Sequence, residues 1–558
     1  MKLSFIHLIE FFIMKYKTLF IFFIALNLLK AQNTIGVISL ENNASEGFTL
    51  FTQFTETYLI NNCGEVINQW SSSYPPGNAV YLLENGNILR AGRTSSTDFL
   101  IGGQGGIIEM FDWDGDLVWQ YLYDTTNHRQ HHDVFPMPNG NVLILAVTKI
   151  SNTEAIQAGR NPSLLPEAFV YNEQIIEVQP SGLTGGTIVW EWNLKDHLVQ
   201  DFDNTKDNFG NVSLSKGKLD INFLNGGNGG ANWIHANSMQ YNAVLDQIIL
   251  SARLLSEFYI IDHSTSTIEA ATNTGGTYGN GGDFLYRWGN PQAYKLGTKS
   301  DQKLFGQHYV HPIATDLNDA GKIMLFNNGL GRDPLFSEVF VLEPPTDSPG
   351  FYTNTTNIAF GPETIDYIYN DLITPTNFFS NILSSAQRLP NGNTLICEGI
   401  NGEIFEIDTN ENLVWQYISP VNNNTGAIAT QGDNPASIAN AMFRAIKYPL
   451  DYVAFNGRDL TPKNPIEINP DLTFCNILSL SDFSFNNTTI YPNPVRDNLI
   501  IESTVKIERV ELYNIFGTKL FSFSNTNTIN LSKLNSGLYI IKIYNNKGKP
   551  LTHKLVKK

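Results

Sequence analysis

The chain has 558 residues, 42% of them hydrophobic and 16% charged, which is too apolar for a disordered chain and too polar for a multi-span membrane protein. With 36 Lys+Arg against 53 Asp+Glu, its formal net charge of −17 argues against nucleic acid or an anionic membrane as a partner. Three cysteines exclude a disulfide-dense scaffold, while 44 glycines and 12% aromatics point to many short strands joined by tight turns.

At the N-terminus, residues 14–31 read MKYKTLFIFFIALNLLKA. Lys15 and Lys17 form a positive region ahead of an apolar run, Leu19–Leu29, that is short for a membrane span. Residues 1–31 are therefore expected to be a secretory signal peptide, with Met14 as the true start and cleavage near Ala31.

Residues 32–475 carry an internal repeat. One piece is a turn followed by a strand: Glu84-Asn85-Gly86-Asn87-Ile88-Leu89, Pro138-Asn139-Gly140-Asn141-Val142-Leu143 and Pro390-Asn391-Gly392-Asn393-Thr394-Leu395, with looser copies at Leu245-Asp246 and Ala320-Gly321. The glycine supplies the positive φ that a tight hairpin needs. A second piece is a strand with a tryptophan, at Trp70, Trp119, Trp190, Trp288 and Trp415. Strand, turn, strand, acidic turn and Trp strand make the grammar of a β-propeller blade, and about 440 residues at somewhat over 60 per blade give about six. A propeller has to close its ring, and Cys63 and Cys475 at the two ends of this region are expected to pair, leaving Cys397 as a buried free thiol.

Eight of the ten histidines fall between positions 128 and 311. Three segments, Gln130-His131-His132-Asp133, Ile234-His235-Ala236-Asn237 and Gly306-Gln307-His308-Tyr309-Val310-His311, each precede a turn-plus-strand unit and are expected to open different blades at the central channel. Arg253, 18 residues after His235, suits a neighbouring strand of the same blade. Imidazoles and one guanidinium in an acidic shell suit a small anion better than a polyanion. Such a cluster can bind a transition metal, supply a nucleophile or base, or serve as buried structure. No HExxH pair and no acidic calcium loop accompany it, so no metal and no cofactor is expected. The glycine-rich stretches Gly226–Gly230 and Gly279–Gly282 do not lie between a strand and a helix and read as loops.

After a linker at 476–486, residues 487–558 carry 11 Lys+Arg against 4 Asp+Glu, a reversal of charge that marks a domain boundary. Short alternating strands are expected at Leu499–Glu502, Ile507–Tyr513, Lys519–Phe523, Leu538–Tyr544 and Leu551–Val556, enough for a small C-terminal β-sandwich. Tyr491-Pro492-Asn493-Pro494-Val495, Asn514-Ile515-Phe516-Gly517, Ser536-Gly537-Leu538-Tyr539 and the terminal lysines resemble the type A sorting domain of the type IX secretion system. That resemblance implies recognition by the type IX machinery and release from the cell or attachment to its surface.

The middle region resembles the bacterial arylsulfate sulfotransferases. The resembling stretches are His131-His132-Asp133 with Pro138–Asn141, Trp190-Glu191-Trp192 with Asp196–Asp201, Trp233–Ser238, Ser251-Ala252-Arg253, Phe305–His308 and Ser385–Asn393. The resemblance implies a six-bladed propeller that moves a sulfuryl group from an aryl sulfate donor to a phenolic acceptor by a ping-pong mechanism, without a nucleotide sulfate. His308 matches the nucleophile that becomes a sulfohistidine. His235 and Arg253 match groups that hold the sulfuryl oxygens, and one of His131 and His132 matches a further active-site histidine. Asn237, His197, His311 and Arg388 are candidates for substrate contact. Tyr309 departs from the acidic residue that often follows the nucleophile in the family. Two other readings remain: a non-catalytic exported propeller that binds surface glycans or proteins, and a metal-dependent or hydrolytic propeller enzyme.

Overall fold

The computed structural model describes residues 33–558 apart from 228, 371–374, 474, 476–488, 504–505, 515–517 and 545–550. The expected signal peptide and the linker at 476–486 lie outside the described residues. The chain divides into two compact units, Met1–Pro470 and Asp471–Lys558. Among the described residues no helix is long and apolar enough to cross a membrane.

The first unit is all-β apart from short helical turns. Among its described residues, six antiparallel sheets of four or five strands succeed one another along the chain. Their first strands are Pro76–Leu82, His128–Pro136, Ala236–Asn242, His308–Pro312, Ser385–Arg388 and Ala445–Tyr448. The last of these does not continue forward. It pairs with Phe48–Gln53 from the other end of the unit, Phe48 opposite Tyr448, so one sheet is completed by both ends. Gly36–Leu40 adds a further N-terminal strand to the preceding sheet, Gly36 opposite Ile418.

The Asn-Gly turns do what their chemistry requires. Gly86, Gly140 and Gly392 have φ of +85°, +86° and +89°. In each turn the residue before it donates its N–H to the carbonyl of the asparagine after it, as Leu83 does to Asn87 at 2.8 Å and Met137 to Asn141 at 2.9 Å. The tryptophans lie on the outer strands and bond from one sheet to the next. The indole N–H of Trp70 donates to the Asp112 carbonyl at 2.7 Å, Trp119 to Gly185 at 2.8 Å, Trp288 to Pro362 at 3.0 Å and Trp415 to Asn62 at 2.8 Å. A large ring that packs between sheets while its N–H finds a carbonyl satisfies both needs of a buried indole. The sheet that begins at His308 has no tryptophan. Tyr369 on its outer strand Tyr367–Tyr369 takes that place, 6.3 Å from the Phe405 ring of the next sheet.

His263 joins two sheets electrostatically. Its Nδ1 lies 2.6 Å from Asp246 and its Nε2 3.1 Å from Glu177. Burial opposes the charged ring, but the two carboxylates outweigh it and raise His263 above its ordinary value, while the His263 hydrogen bond takes Glu177 down to about 2. A raised histidine stabilises the fold fully below its unfolded value near 6.5 and loses that contribution as pH climbs through the folded value. The melting temperature of the full chain is therefore expected to fall between about pH 6 and pH 9 more steeply than that of His263→Gln. Equal slopes would refute the coupling.

In the second unit, Thr489–Tyr491, Asn498–Glu502 and Thr528–Asn530 form one sheet, and Lys519–Ser524, Arg509–Asn514, Gly537–Tyr544 and Leu551–Lys557 another. Val495, Leu499, Ile501, Val510, Leu512 and Ile541 belong to one buried cluster of this unit. All five expected strands are present to within two residues at each end; Thr489–Tyr491 and Thr528–Asn530 were not expected. Cys397 is a buried free thiol.

Candidate active site

The first strands of four sheets begin irregularly. Pairing with the next strand shifts register between Pro76 and Val80, opposite Ile144–Ala146 in His128–Pro136, between Ala236 and Ser238, and between His308 and His311. Each bulge re-aims side chains that strict alternation would send to opposite faces. His132, His235 and Tyr309 accordingly take left-handed φ of +52°, +54° and +47°. Left-handed non-glycine residues are strained, and such strain gathers where function over-determines the backbone.

The structure brings His131, His132, His235, Arg253 and His308 together. The His132 and His235 rings lie 4.8 Å apart, and Phe443 lies 6.2 Å from His132 and 6.5 Å from His308. Arg253 follows the strand beside His235 and donates its backbone N–H to the His235 carbonyl at 3.2 Å. Its Nε is buried and has no protein partner among the described residues.

The partners of each imidazole assign its proton. Glu173 accepts the backbone N–H of Ala236 at 2.9 Å and lies 3.0 Å from His131 Nε2. With the His131 proton on Nε2, its Nδ1 accepts from His132 Nδ1 at 2.9 Å, and the free lone pair of His132 is on Nε2. Asn232 donates to His235 Nδ1 at 2.8 Å, which leaves the His235 proton on Nε2. His308 is 3% exposed; its Nδ1 lies 2.7 Å from Asn328 Oδ1, and its Nε2 accepts the Leu383 N–H at 3.2 Å.

Burial and the Arg253 guanidinium push His308 down to about 3. Burial and neighbouring imidazoles hold His132 well below the usual range, and burial with Arg253 does the same for His235. His132, His235 and His308 are thus neutral imidazoles beside the Arg253 cation. His132, rather than His131, faces His235; His131 stands behind it on Glu173. Gly102 and Gly103 lie against both rings. A Cβ on Gly103, at φ +63°, would come within 2.3 Å of His132, and one on Gly102 within 2.6 Å of His235.

Asn237 joins the cluster from its own strand. Its Nδ2 donates to the Gln307 carbonyl at 2.7 Å, and its buried Oδ1 has no protein partner among the described residues. His311 lies one step further along the strand, stacked on Tyr309 at 4.3 Å with its Nδ1 on the Tyr309 carbonyl at 3.1 Å. His197 and Arg388 are placed elsewhere. Both nitrogens of His197 are engaged, at 2.7 Å to Asp283 and 2.8 Å to the Ala270 carbonyl, and its ring stacks on Trp192 at 5.3 Å. Arg388 ends its strand on Thr394 at 2.6 Å and Asp319 at 2.9 Å. These bonds make both residues anchors of their loops.

Sequence reasoning passed over the polar network beneath the cluster. Arg444 pairs with Asp133 at 2.8 Å and donates to the Tyr81 hydroxyl at 2.6 Å; Gln240 also donates to Tyr81, at 2.8 Å, and the Arg444 guanidinium lies 4.0 Å over the Tyr309 ring. Burial opposes the charge on Arg444, but Asp133 outweighs it and keeps the group cationic. Glu173, Asn328 and Leu383 were also missed. Only the dipeptide His-Asp at 132–133 hinted at any of this. Ahead of His235, Trp233 and Ile234 help to line a cavity of about 530 Å³ with Ile150, Tyr171, Leu194 and Leu198.

A family model described as Arylsulfotransferase (ASST) matches residues 40–444, and one described as Secretion system C-terminal sorting domain matches residues 489–558. No curated protein matches the chain. Solved structures similar to it include a protein of unknown function from Bacteroides caccae (13% identity, 67% of this chain and 93% of that one, TM-score 0.34). Virginiamycin B lyase from Staphylococcus aureus (8%, 70% and 90%, 0.30) and the Cps50 (Swd1) β-propeller domain of Myceliophteria thermophila (10%, 70% and 88%, 0.32) are similar too.

Proposed function

Because this chain belongs to the arylsulfotransferase family, we propose that its histidine cluster moves a sulfuryl group from an aryl sulfate to a phenol through a covalent adduct on His308, in a six-bladed propeller exported by a terminal sorting sandwich. The sorting domain marks the chain for export and for a cell-surface or secreted location; we assign it to the type IX machinery.

The observation that carries the mechanism is the pair of contacts that the His308 ring makes. Its Nδ1 points at an amide oxygen and its Nε2 carries a lone pair, in a ring that burial keeps neutral. Nε2 gives up the Leu383 N–H that it accepts in the free site and attacks sulfur; the S–O bond to the aryl group breaks, and its electron pair leaves as phenolate, a good leaving group because a phenol has a pKa of about 10. The sulfuryl group on Nε2 meets the Arg253 guanidinium and the His235 N–H, donors suited to its oxygens. In the second half, the acceptor phenol gives its proton to Nε2 of His132, its oxygen bonds sulfur, and the S–N bond returns its electrons to His308. Glu173 and His131 hold His132 in the tautomer this needs.

The test mixes the purified chain with 4-nitrophenyl sulfate, with and without phenol. Phenol-dependent nitrophenolate release, and a mass increase of about 80 Da on the protein without acceptor, are the expected results for a covalent sulfuryl intermediate. No release from several aryl sulfates by folded protein would return the chain to the glycan- or protein-binding reading.

A further inference from the structure

Resting on that reading, we infer that Asn328 is the positioning residue of the nucleophile: its neutral amide selects the His308 tautomer with the lone pair on Nε2.

The amide cannot turn around. Asn328 is fully buried at the end of strand Ile323–Asn327, beside the strand that starts at His308. Its Nδ2 donates to the Ser380 carbonyl at 2.7 Å and the Leu383 carbonyl at 3.0 Å. Its backbone carbonyl accepts the Ser337 hydroxyl at 2.9 Å. Both amide protons being engaged, the atom facing His308 Nδ1 at 2.7 Å is Oδ1, an acceptor, so Nδ1 must carry the proton. From the other side the Leu383 N–H points at Nε2 at 3.2 Å, and that nitrogen must accept. Two independent contacts therefore demand the same tautomer. The loop that supplies Leu383 is the one that Asn328 ties down, and it holds Leu383 and Ser384 at φ +62° and +89°.

The chemistry explains why an amide suits this place better than a carboxylate. Charged groups that act on His308 from the packed elements are Arg253 and Arg444, both cations, with His132 and His235 as imidazole neighbours and Asp133 already paired to Arg444. A carboxylate on Nδ1 would stabilise the imidazolium and put a proton on Nε2, which would remove the attacking lone pair at acid pH. An amide orients the ring and adds no charge. When sulfur bonds Nε2, the ring becomes cationic and its Nδ1–H bond to Oδ1 strengthens, so the residue that selects the tautomer also supports the adduct.

The test follows the pre-steady-state burst of nitrophenolate from the full chain as pH varies, for wild type, Asn328→Asp and Asn328→Leu. In wild type the burst rate is expected to hold within about twofold from pH 8 down to about pH 4.5, given the direction of the His308 shift. Asn328→Asp, isosteric with the native residue, is expected to raise the His308 pKa by about 2–3 units and to lose about 4- to 30-fold at pH 4.5 relative to pH 8. Asn328→Leu is expected to lose about 10- to 100-fold at every pH, with the donor KM within about threefold. Wild-type rates and pH profiles in both variants would overturn the inference. A second measurement is independent of activity: ¹⁵N NMR of histidine-labelled wild type, with the His308 signals assigned by their loss in His308→Gln. A proton on Nδ1 supports the inference, and a proton on Nε2 overturns it. Absence of a burst in wild type would instead count against the sulfuryl-transfer reading, and the NMR result would still decide the tautomer.

Discussion

His308→Ala is expected to lower aryl sulfate turnover by about 10⁴- to 10⁶-fold and to abolish the mass adduct, the effect of deleting a nucleophile from a machine whose parts act as a unit. The remaining groups can bind the anion but have nothing to pass it to. None of the other imidazoles is a ready substitute. His131 is engaged on both nitrogens, by Glu173 and His132. The proton of His235 sits on Nε2, because its Nδ1 is already occupied by Asn232. His132 is the one neighbour with a free lone pair, so the informative comparison is His132→Gln. In that variant the adduct on His308 should still form while phenol-dependent turnover slows, because the second half-reaction loses its base. Steady-state rates and intact mass, with and without phenol, read both outcomes. An adduct that survives His308→Ala, or turnover within tenfold of wild type, would sink the assignment.

The largest effect on stability is expected at Arg444. Its pair with Asp133 is buried on both sides, at 3% and 0% side-chain exposure, and its hydroxyl partner Tyr81 belongs to another sheet. Met239 donates its backbone N–H to the same Asp133 carboxylate at 3.0 Å, so three first strands converge on one buried charge pair next to a fourth. Removing one partner strands the other without water. Arg444→Met is therefore expected to cost about 3–5 kcal/mol, read as a lower urea midpoint of the full chain. Replacing both, in Arg444→Met with Asp133→Leu, is expected to recover most of that loss, since two apolar groups leave no orphaned charge. A single variant within 1 kcal/mol of wild type, as judged against the usual cost of a broken buried pair, would mean that water reaches Asp133 and screens it.

Much of the architecture is legible without coordinates because it depends on local chemistry. The Asn-Gly turns at Gly86, Gly140 and Gly392 need positive φ, and they mark strand boundaries correctly. Trp70, Trp119, Trp190, Trp288 and Trp415 mark outer strands because each must bury a ring and satisfy an N–H at once. The sheet with Tyr369 in the tryptophan position carries no such mark, because another aromatic fills the space. The segments bearing His131, His235 and His308 were recognisable as the openings of separate sheets, since each precedes a turn-plus-strand unit.

What the sequence alone determined is therefore the all-β class, the repeat, the charge boundary before the sorting domain and the set of histidines worth watching. Tertiary structure decided everything that depends on long-range pairing or on the direction of a side chain. The closure of Phe48 onto Tyr448 joins residues that no local pattern relates. The choice between His131 and His132 turns on a bulge that sets three residues, His131–Asp133, opposite Leu145 alone and puts His132 at a left-handed φ, so strict alternation does not say which ring faces the site. His197 and Arg388 share the residue types of the site but are tied to Asp283 and Asp319, away from it. Asn328 and Arg444 entered from strands distant in sequence, and their roles arise only from the atoms they meet: an imidazole nitrogen for one and a buried carboxylate for the other. A residue type sets which protons it can give or take, but the fold sets which partner is within 3 Å to receive them.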